Sequence, residues 1–141
     1  MATTPRGIKN NNPLNIRHNP DCFQGEVRPG TDRAFKQFKT AAYGYRAAFV
    51  TLGTYLSRGW NTIEKIVSHW APPNENDTKA YIANVEKWSG VKRDKVLTAK
   101  DGEDFVKIVI AMCRVENGVT ADPLAVCEGF NLQGKLKSDL Y

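Results

Sequence analysis

Apolar residues that recur at helical spacing after Thr40 constrain the fold more than any other feature of this sequence. Thr40 is a suitable N-cap for a helix that runs through about Ser57. One face of that helix carries its large apolar residues at i, i+4, i+7 and i+11, namely Tyr45, Phe49, Leu52 and Leu56. Such a stripe can be buried only against other elements, so the sequence predicts a helical body around a shared core.

The same spacing predicts four more helices along the chain. They start at Asn61, at Asn76 or Asp77, at Asp101, and at Asp122-Pro123, where the last helix is short and runs to about Cys127. The prolines of Ala71-Pro72-Pro73 end the first of these, because proline cannot continue the hydrogen-bond ladder. The stretch 90–97 is expected to be a helical turn or a connector.

Residues 1–33 are rich in turn-forming residues and carry little helical pattern. Short extended pieces at 14–16 and 23–27, with a weak strand candidate at 34–39, predict a small irregular β-hairpin. The fold class is therefore mainly α (α+β), with a helical domain and a small N-terminal hairpin. A length of 141 residues suits one domain over 1–141.

Glu116 stands where the helix from Asp101 should place an apolar side chain. Phe105, Val109 and Met112 form a stripe at i, i+4 and i+7, and Glu116 is its next step, just before Asn117-Gly118. Burial and the negative end of the helix dipole would both raise the pKa of this carboxyl, as general acid catalysis requires. The alternative is that the helix frays early and Glu116 turns out to solvent.

Composition excludes several classes of protein. The chain has 41% hydrophobic and 25% charged residues, as soluble proteins do, and it has no apolar run of membrane-spanning length and no secretory signal. Three scattered cysteines and two histidines predict neither a disulfide framework nor a metal site, and no cofactor is expected. A net charge of +5 suits any polyanion, but no nucleic-acid-binding motif accompanies it, so nucleic acid is not an expected partner.

Three stretches resemble a family of bacteriophage virion-associated and prophage proteins with a lysozyme-like fold. The first is residues 11–17, Asn-Asn-Pro-Leu-Asn-Ile-Arg, and the second is Phe23-Gln24-Gly25-Glu26 followed by the Phe-x-x-Phe of 35–38. The third and most specific is Trp-Ala-Pro-Pro-Asn-Glu-Asn-Asp-Thr at 70–78. Leu14 departs from the glycine that the family usually has there, which affects the local turn.

A second resemblance, to flagellar-type glucosaminidases and related lytic enzymes, suggests what these segments do. Those enzymes carry a helix that ends in Glu-Ser-Gly before a segment similar to 12–17, and later a segment similar to 77–81. Here the helix with the glutamate, ending Glu116-Asn117-Gly118, comes near the C-terminus. The resemblance therefore implies a circular permutation of the lysozyme-like order, which closely spaced termini tolerate.

The resemblance implies cleavage of the glycosidic bond of peptidoglycan, with Glu116 as the catalytic acid. A hydrolase also needs a second carboxylate, for which Glu26 in the hairpin and nearby Asp32 are the candidates. Lytic transglycosylases use one glutamate as acid and then base while a sugar hydroxyl closes a 1,6-anhydro ring. A single clear carboxylate fits that variant at least as well.

Five residues are candidates for binding the substrate, and each has a structural alternative. Tyr81 is similar to a tyrosine that lines lysozyme-like clefts, or it is a core residue; Trp70 offers a sugar platform, or it packs. Asn15 and Arg17 follow a tight turn where they could meet a glycan or its peptide carboxylate, although Arg17 could instead pair with a structural carboxylate. Asn76 binds substrate or, as asparagine more often does, turns the chain.

The expected function is a phage- or prophage-derived lysozyme-like enzyme that degrades the glycan strands of bacterial peptidoglycan. Without a signal sequence it would fold in the cytoplasm and reach the periplasm or cell wall by another route, such as the virion, with other virion proteins as possible partners. The alternatives are a non-catalytic virion or wall-binding protein and a secreted antibacterial effector of the same fold. A nucleic-acid binder is supported by charge alone.

Overall fold

The structure, a computed structural model, describes residues 4–74 and 76–134. Glu75, within the Trp-Ala-Pro-Pro segment, lies outside them, as do both ends of the predicted 1–141 domain, which stays a prediction. The described residues are mainly helical, which confirms the fold class at that level. The helices are α1 Arg6–Lys9, α2 Ala41–Ser57, α3 Ile63–Trp70, α4 Thr78–Ser89, α5 Gly102–Asn117 and α6 Pro123–Leu132.

Side-chain caps explain where most of these helices begin. The Thr40 hydroxyl accepts from the Tyr43 amide, and the Thr62 hydroxyl does the same for Lys65. Asp77 and Asp122 cap α4 and α6 in the same manner. Helix α3 therefore starts two residues later than the Asn61 prediction.

Two local predictions were wrong. Asp101 stands at the N-cap position of α5, but its carboxylate accepts from the Thr98 amide at 2.8 Å and makes no cap bond to the helix. Helix α6 continues past Cys127 to Leu132. Residues 90–97 contain a turn and no helix, which agrees with the connector alternative. The one-turn helix α1 was not predicted, because asparagine- and glycine-rich sequence masks so short an element.

One apolar cluster joins the helices to the N-terminal segment. It includes the predicted stripe of α2, of which Tyr45, Phe49 and Leu52 are buried, and it continues through α3, α4, α5 and Val126 of α6. Helix α2 packs against α6, and α4 packs against α5. Leu14, the departure from the family pattern, is 1% exposed in this cluster, so its side chain fills the core instead of opening the turn.

The N-terminal segment folds as irregular chain around short pieces of antiparallel pairing. Among the described residues the pairing consists of two isolated bridges, Arg17 to Phe35 and Glu26 to Phe38, so the predicted hairpin itself is not confirmed. The buried Asn12 side chain replaces part of the missing ladder, because its amide donates to the Ile16 and Lys36 carbonyls. This segment lies against the carboxyl end of α5, where it reaches Glu116.

Candidate functional site

Glu116 points inward from the last turn of α5, as the interrupted stripe predicted. Its carboxylate accepts a hydrogen bond from Asn15 Nδ2 at 2.8 Å on Oε1 and another from the Tyr81 hydroxyl at 2.9 Å on Oε2. Helix α5 does not fray before this residue, since it ends at Asn117 with Gly118 in the left-handed conformation (φ 71°). Three segments that are distant in sequence thus meet at one carboxyl group.

Burial raises the pKa of Glu116 above its ordinary value, because removal from water disfavours the charged form. The hydrogen bonds from Asn15 and Tyr81 and the positive charge of Arg17 act in the opposite direction without cancelling that effect. The result is a carboxyl group that is poised between its two protonation states closer to neutral pH than a solvent-exposed glutamate. That is the property a general acid needs.

Tyr81 has a role in both the core and the site. Its residue is 5% exposed within the main apolar cluster, while its hydroxyl reaches Glu116. Burial and the neighbouring carboxylate raise the pKa of Tyr81 well above its usual value, so the hydroxyl remains protonated at every pH of interest. The two interpretations of Tyr81 are therefore compatible.

Asn15 is held at the site by an unusual backbone and by a second asparagine. Its φ of 53° lies in the left-handed region, which asparagine tolerates better than most residues, and its amide donates to the Asn12 carbonyl at 2.9 Å. Asn117 Nδ2 donates to the Pro13 carbonyl at 2.7 Å and to the Cys113 carbonyl at 3.1 Å. Asn117 thus fastens the N-terminal turn to the end of α5, beside the acid.

A cavity of about 980 Å³ opens beside Asn15, and we call it the α2 groove. One wall is a face of α2 and the other is the segment 15–24, and Trp70 lies at its border. Asn15 belongs to both the groove and the Glu116 cluster, whereas Glu116 and Tyr81 are not among the residues that line the groove. The lining residues are Asn15, Ile16, Arg17, His18, Asn19, Asp21, Cys22, Phe23, Gln24, Arg46, Val50, Thr51, Thr54, Tyr55, Arg58 and Trp70.

Two further predicted binding residues, Arg17 and Trp70, line this groove. Arg17 is exposed, its guanidinium lies 5.1 Å from the centre of the Phe35 ring, and its charge acts on Glu116. Trp70 is half-buried, and its indole nitrogen donates to the Leu14 carbonyl at 3.1 Å. Both residues therefore hold the N-terminal segment in place while presenting part of their surface to the groove.

Asn76 lies apart from the other candidates. It is exposed on the turn before α4, and its side-chain amide donates to the Pro72 carbonyl at 3.3 Å. It neither lines the α2 groove nor contacts Glu116. The geometry matches the turn-forming alternative.

Glu26, the predicted second catalytic carboxylate, is engaged in a buried ion pair. Its side chain is 2% exposed, with Lys36 Nζ at 3.0 Å from Oε1 and Arg28 Nε at 2.9 Å from Oε2. Burial alone would raise the pKa of Glu26, but the hydrogen bonds from Arg28, Lys36 and the Phe23 amide together lower it. Glu26 is thus buried, paired with two cations and absent from the lining of the α2 groove, so the geometry gives no support to a catalytic role for it.

Asp32, the other candidate, is occupied in the same way. Arg6 holds it in a two-pronged ion pair at 2.6 and 2.7 Å, and Asn10 and the amides of Ala34 and Phe35 also donate to it. The Arg6 guanidinium and these donors keep the pKa of Asp32 far below its usual range. Asp32 thus joins α1 to the chain around residues 32–35.

The sequence interpretation missed the arginines of the α2 groove. Arg46, Val50 and Thr54 follow one another at i, i+4 and i+8 on a different face of α2 from the buried stripe, and Arg58 comes directly after the helix. The helical spacing of these residues was the sequence signal from which this wall of the groove could have been predicted. Asn117 was interpreted as a helix stop alone, and only the fold shows which carbonyl its side chain meets.

Other chemistry is not built into the described part of the chain. Cys113 is buried with its sulfur 3.5 Å from the Tyr45 hydroxyl, and burial raises the pKa of its thiol, which makes it a poor nucleophile. Across 4–74 and 76–134, no three His, Cys, Asp or Glu side chains converge as metal ligands would. None of the helices described is long and apolar enough to span a membrane.

Comparison with known proteins identifies a phage relative. The chain is 39% identical over 117 residues to Protein P5 of Pseudoalteromonas phage PM2, and the aligned region covers 80% of this chain and 71% of the relative. No protein-family model matches the chain. The relative's name specifies no activity, so any chemistry must be argued from the site itself.

Proposed function

The chain belongs to the family of Protein P5 of Pseudoalteromonas phage PM2, and from this premise we propose that it is a phage-type glycosidase that cleaves the glycan strands of peptidoglycan. One observation carries the proposal: the Glu116 carboxyl, with its raised pKa, accepts hydrogen bonds from Tyr81 and from Asn15, and Asn15 also lines the α2 groove. Its place of action would be the periplasm or cell wall.

The first chemical step needs a proton at the leaving oxygen. Protonated Glu116 donates to the glycosidic oxygen as the bond from that oxygen to the anomeric carbon breaks, and positive charge develops on the sugar ring. The resulting Glu116 carboxylate is then stabilised by donors from Asn15 and Tyr81, which already stand at 2.8 and 2.9 Å. These partners orient the acid before the reaction and accommodate its charge afterwards.

The second step favours a lytic transglycosylase over a hydrolase with two carboxylates. Cations lower the pKa of Glu26 and of Asp32, whereas the pKa of Glu116 is raised, and Asn15 links Glu116 to the groove. Its carboxylate can accept the proton of the sugar's 6-hydroxyl while that oxygen bonds to the anomeric carbon. The product is a 1,6-anhydro sugar, and Glu116 returns to its acid form without consuming water.

A permuted lysozyme-like fold is part of this proposal. Support comes from the helical body and from the contact of the turn around Asn15 with the carboxyl end of α5. In the enzymes that the sequence resembles, the helix with the glutamate precedes such a turn. Here the same two pieces meet although the turn comes first along the chain.

The test is digestion of purified peptidoglycan followed by mass analysis of the soluble muropeptides. We expect anhydro-ended products from the native chain and a loss of at least about 100-fold in rate for Glu116→Gln, the scale of a lost general acid. The matched control is Glu103→Gln on the same helix, whose carboxylate is 88% exposed and whose loss should leave the rate unchanged. Reducing ends would mean hydrolysis, and an unchanged rate in Glu116→Gln would remove the acid from the mechanism.

A non-catalytic virion or wall-binding role is the second candidate, and membership of a family known from a phage favours it. A lysozyme-shaped body could bind glycan through the α2 groove without cleaving it. Sedimentation with insoluble peptidoglycan and no soluble product, from the native chain, is the result expected for that role.

A further inference from the structure

The α2 groove carries a concentration of positive charge that cleavage at Glu116 does not use. Arg17, Arg46 and Arg58 line it together with His18, and Asp21 is the acidic residue among the lining side chains. Arg46 lies on α2 and Arg58 directly follows its last residue, while Arg17 belongs to the segment 15–24. The charges therefore surround the cavity from both sides.

One nitrogen of the Arg46 side chain is buried without a hydrogen-bond partner among the described residues. That nitrogen is Nε, and neither Arg46 nor Arg58 forms an ion pair with a described carboxylate. Arg58 instead lies with its guanidinium 5.3 Å from the centre of the Trp60 ring. A buried donor without an acceptor destabilises the protein, and an oxygen of a bound ligand would satisfy it.

Aromatic side chains lie in the same groove. Phe23, Tyr55 and Trp70 are among its lining residues, and the rings of Tyr55 and Trp70 meet edge to face at 5.9 Å. Flat apolar rings match the apolar faces of pyranose sugars, whereas the guanidinium group matches a carboxylate in a two-pronged geometry. The groove thus combines the groups that a carboxylate-bearing glycan would require.

We propose that the α2 groove binds the carboxylates of the peptide stem attached to the glycan, with Arg46 and Arg58 as the specificity-determining residues. The proposal rests on the proposed function, and it deepens it by naming which part of the polymer the groove recognises. Asn15 connects the two regions, because it lines the groove and also donates to Glu116. A peptide stem bound by the arginines would place its sugar next to Glu116. A neutral glycan without peptide stems would lack these contacts with the arginines.

The experiment measures binding, so it does not depend on turnover. The Glu116→Gln variant is titrated by calorimetry at low salt with a muramyl-disaccharide peptide, and then with the same compound after its carboxylates have been amidated. We expect the free acid to bind at least about 10-fold more tightly, which is about 1.4 kcal/mol. Equal affinities, or no binding of either compound, would overturn the proposal.

Variants then assign the effect to the groove. Arg58→Gln, at an exposed position, and Arg46→Lys, which keeps the charge but loses the buried Nε, should each shrink the difference between the two ligands. Arg33→Gln is the matched control, because this exposed arginine lies outside the groove and changes the net charge equally. A difference that survives in both groove variants contradicts the assignment. If the native chain releases muropeptides but the two ligands bind with equal affinity, this inference is wrong and the proposed function is unaffected.

Discussion

Gly44, in the first turns of α2, lies where the N-terminal segment passes closest to the helix. A Cβ added to Gly44 would overlap the Asn11 carbonyl oxygen and would stand 2.9 Å from Pro13 Cδ, whereas ordinary contacts begin at 3.4 Å. The obstructing atoms belong to the backbone and to a proline ring, so no rotamer change can relieve the overlap. Gly44→Ala must therefore push the segment 11–15 away from α2.

The expected loss in the free energy of unfolding follows from the contacts that the segment 11–15 makes. Overpacking costs about 1–3 kcal/mol, and displacement would strain the bond from Asn11 to the Phe38 carbonyl (3.2 Å) and that from Asn117 to the Pro13 carbonyl (2.7 Å), each worth about 1 kcal/mol. Alanine returns about 1 kcal/mol of helix propensity. We expect a net loss of roughly 2–3 kcal/mol and a Tm lower by roughly 8–12 °C.

Thermal and urea denaturation of the native chain and Gly44→Ala check this value. Gly134→Ala is the control, because nothing lies within 4 Å of its added Cβ and its φ is ordinary. Since Asn15 moves with the segment, the rate of the proposed glycosidase reaction should fall by about 100-fold, as a misplacement near 1 Å does. A Gly44→Ala chain as stable as the control, whatever its activity, would refute the close packing of the N-terminal segment on α2.

Two further predictions concern charge. Folding raises the pKa of Glu116, so the protonated carboxyl group favours the folded state. Its contribution to the free energy of unfolding is fully present below the unfolded pKa and is lost as pH rises through the folded pKa. Glu116→Gln should therefore gain Tm relative to the native chain as pH rises from 4 to 8; a difference that is flat with pH contradicts this. Lys36→Met leaves the buried Glu26 carboxylate with Arg28 alone and should cost about 3 kcal/mol at neutral pH by urea denaturation. The added change Glu26→Gln should restore part of the loss, and a Lys36→Met chain of native stability would show that the pair is not desolvated.

The parts of the fold that could be predicted are those governed by local repetition. Helical spacing placed α2 through α5 to within a few residues, and it also showed that Glu116 interrupts an apolar stripe. The hydroxyl of Tyr81 was harder to place, because the stripe predicts only its ring. That the hydroxyl reaches Glu116 depends on how α4 packs against α5.

The parts that could not be predicted depend on contacts between distant segments. Lys36 lies in a Phe-x-x-Phe pattern that says nothing of its complete burial, which exists because Glu26 and the Asp21 carbonyl receive its ammonium group. Asp101 had the right position for a cap, but the local Thr98 amide competes for the same oxygen. Sequence can nominate such residues, and only the fold decides which partner each one takes.

The hydrogen bond between Asn15 and Glu116 joins residues 101 positions apart. At ordinary translation speeds the amino-terminal turn is synthesised roughly 5–20 seconds before its partner. Until then the turn has no carboxyl group to bind. A nascent chain that stops between Asn15 and Glu116 therefore lacks the Glu116 cluster. The proposed catalytic cluster can thus form only after residue 116 has been synthesised.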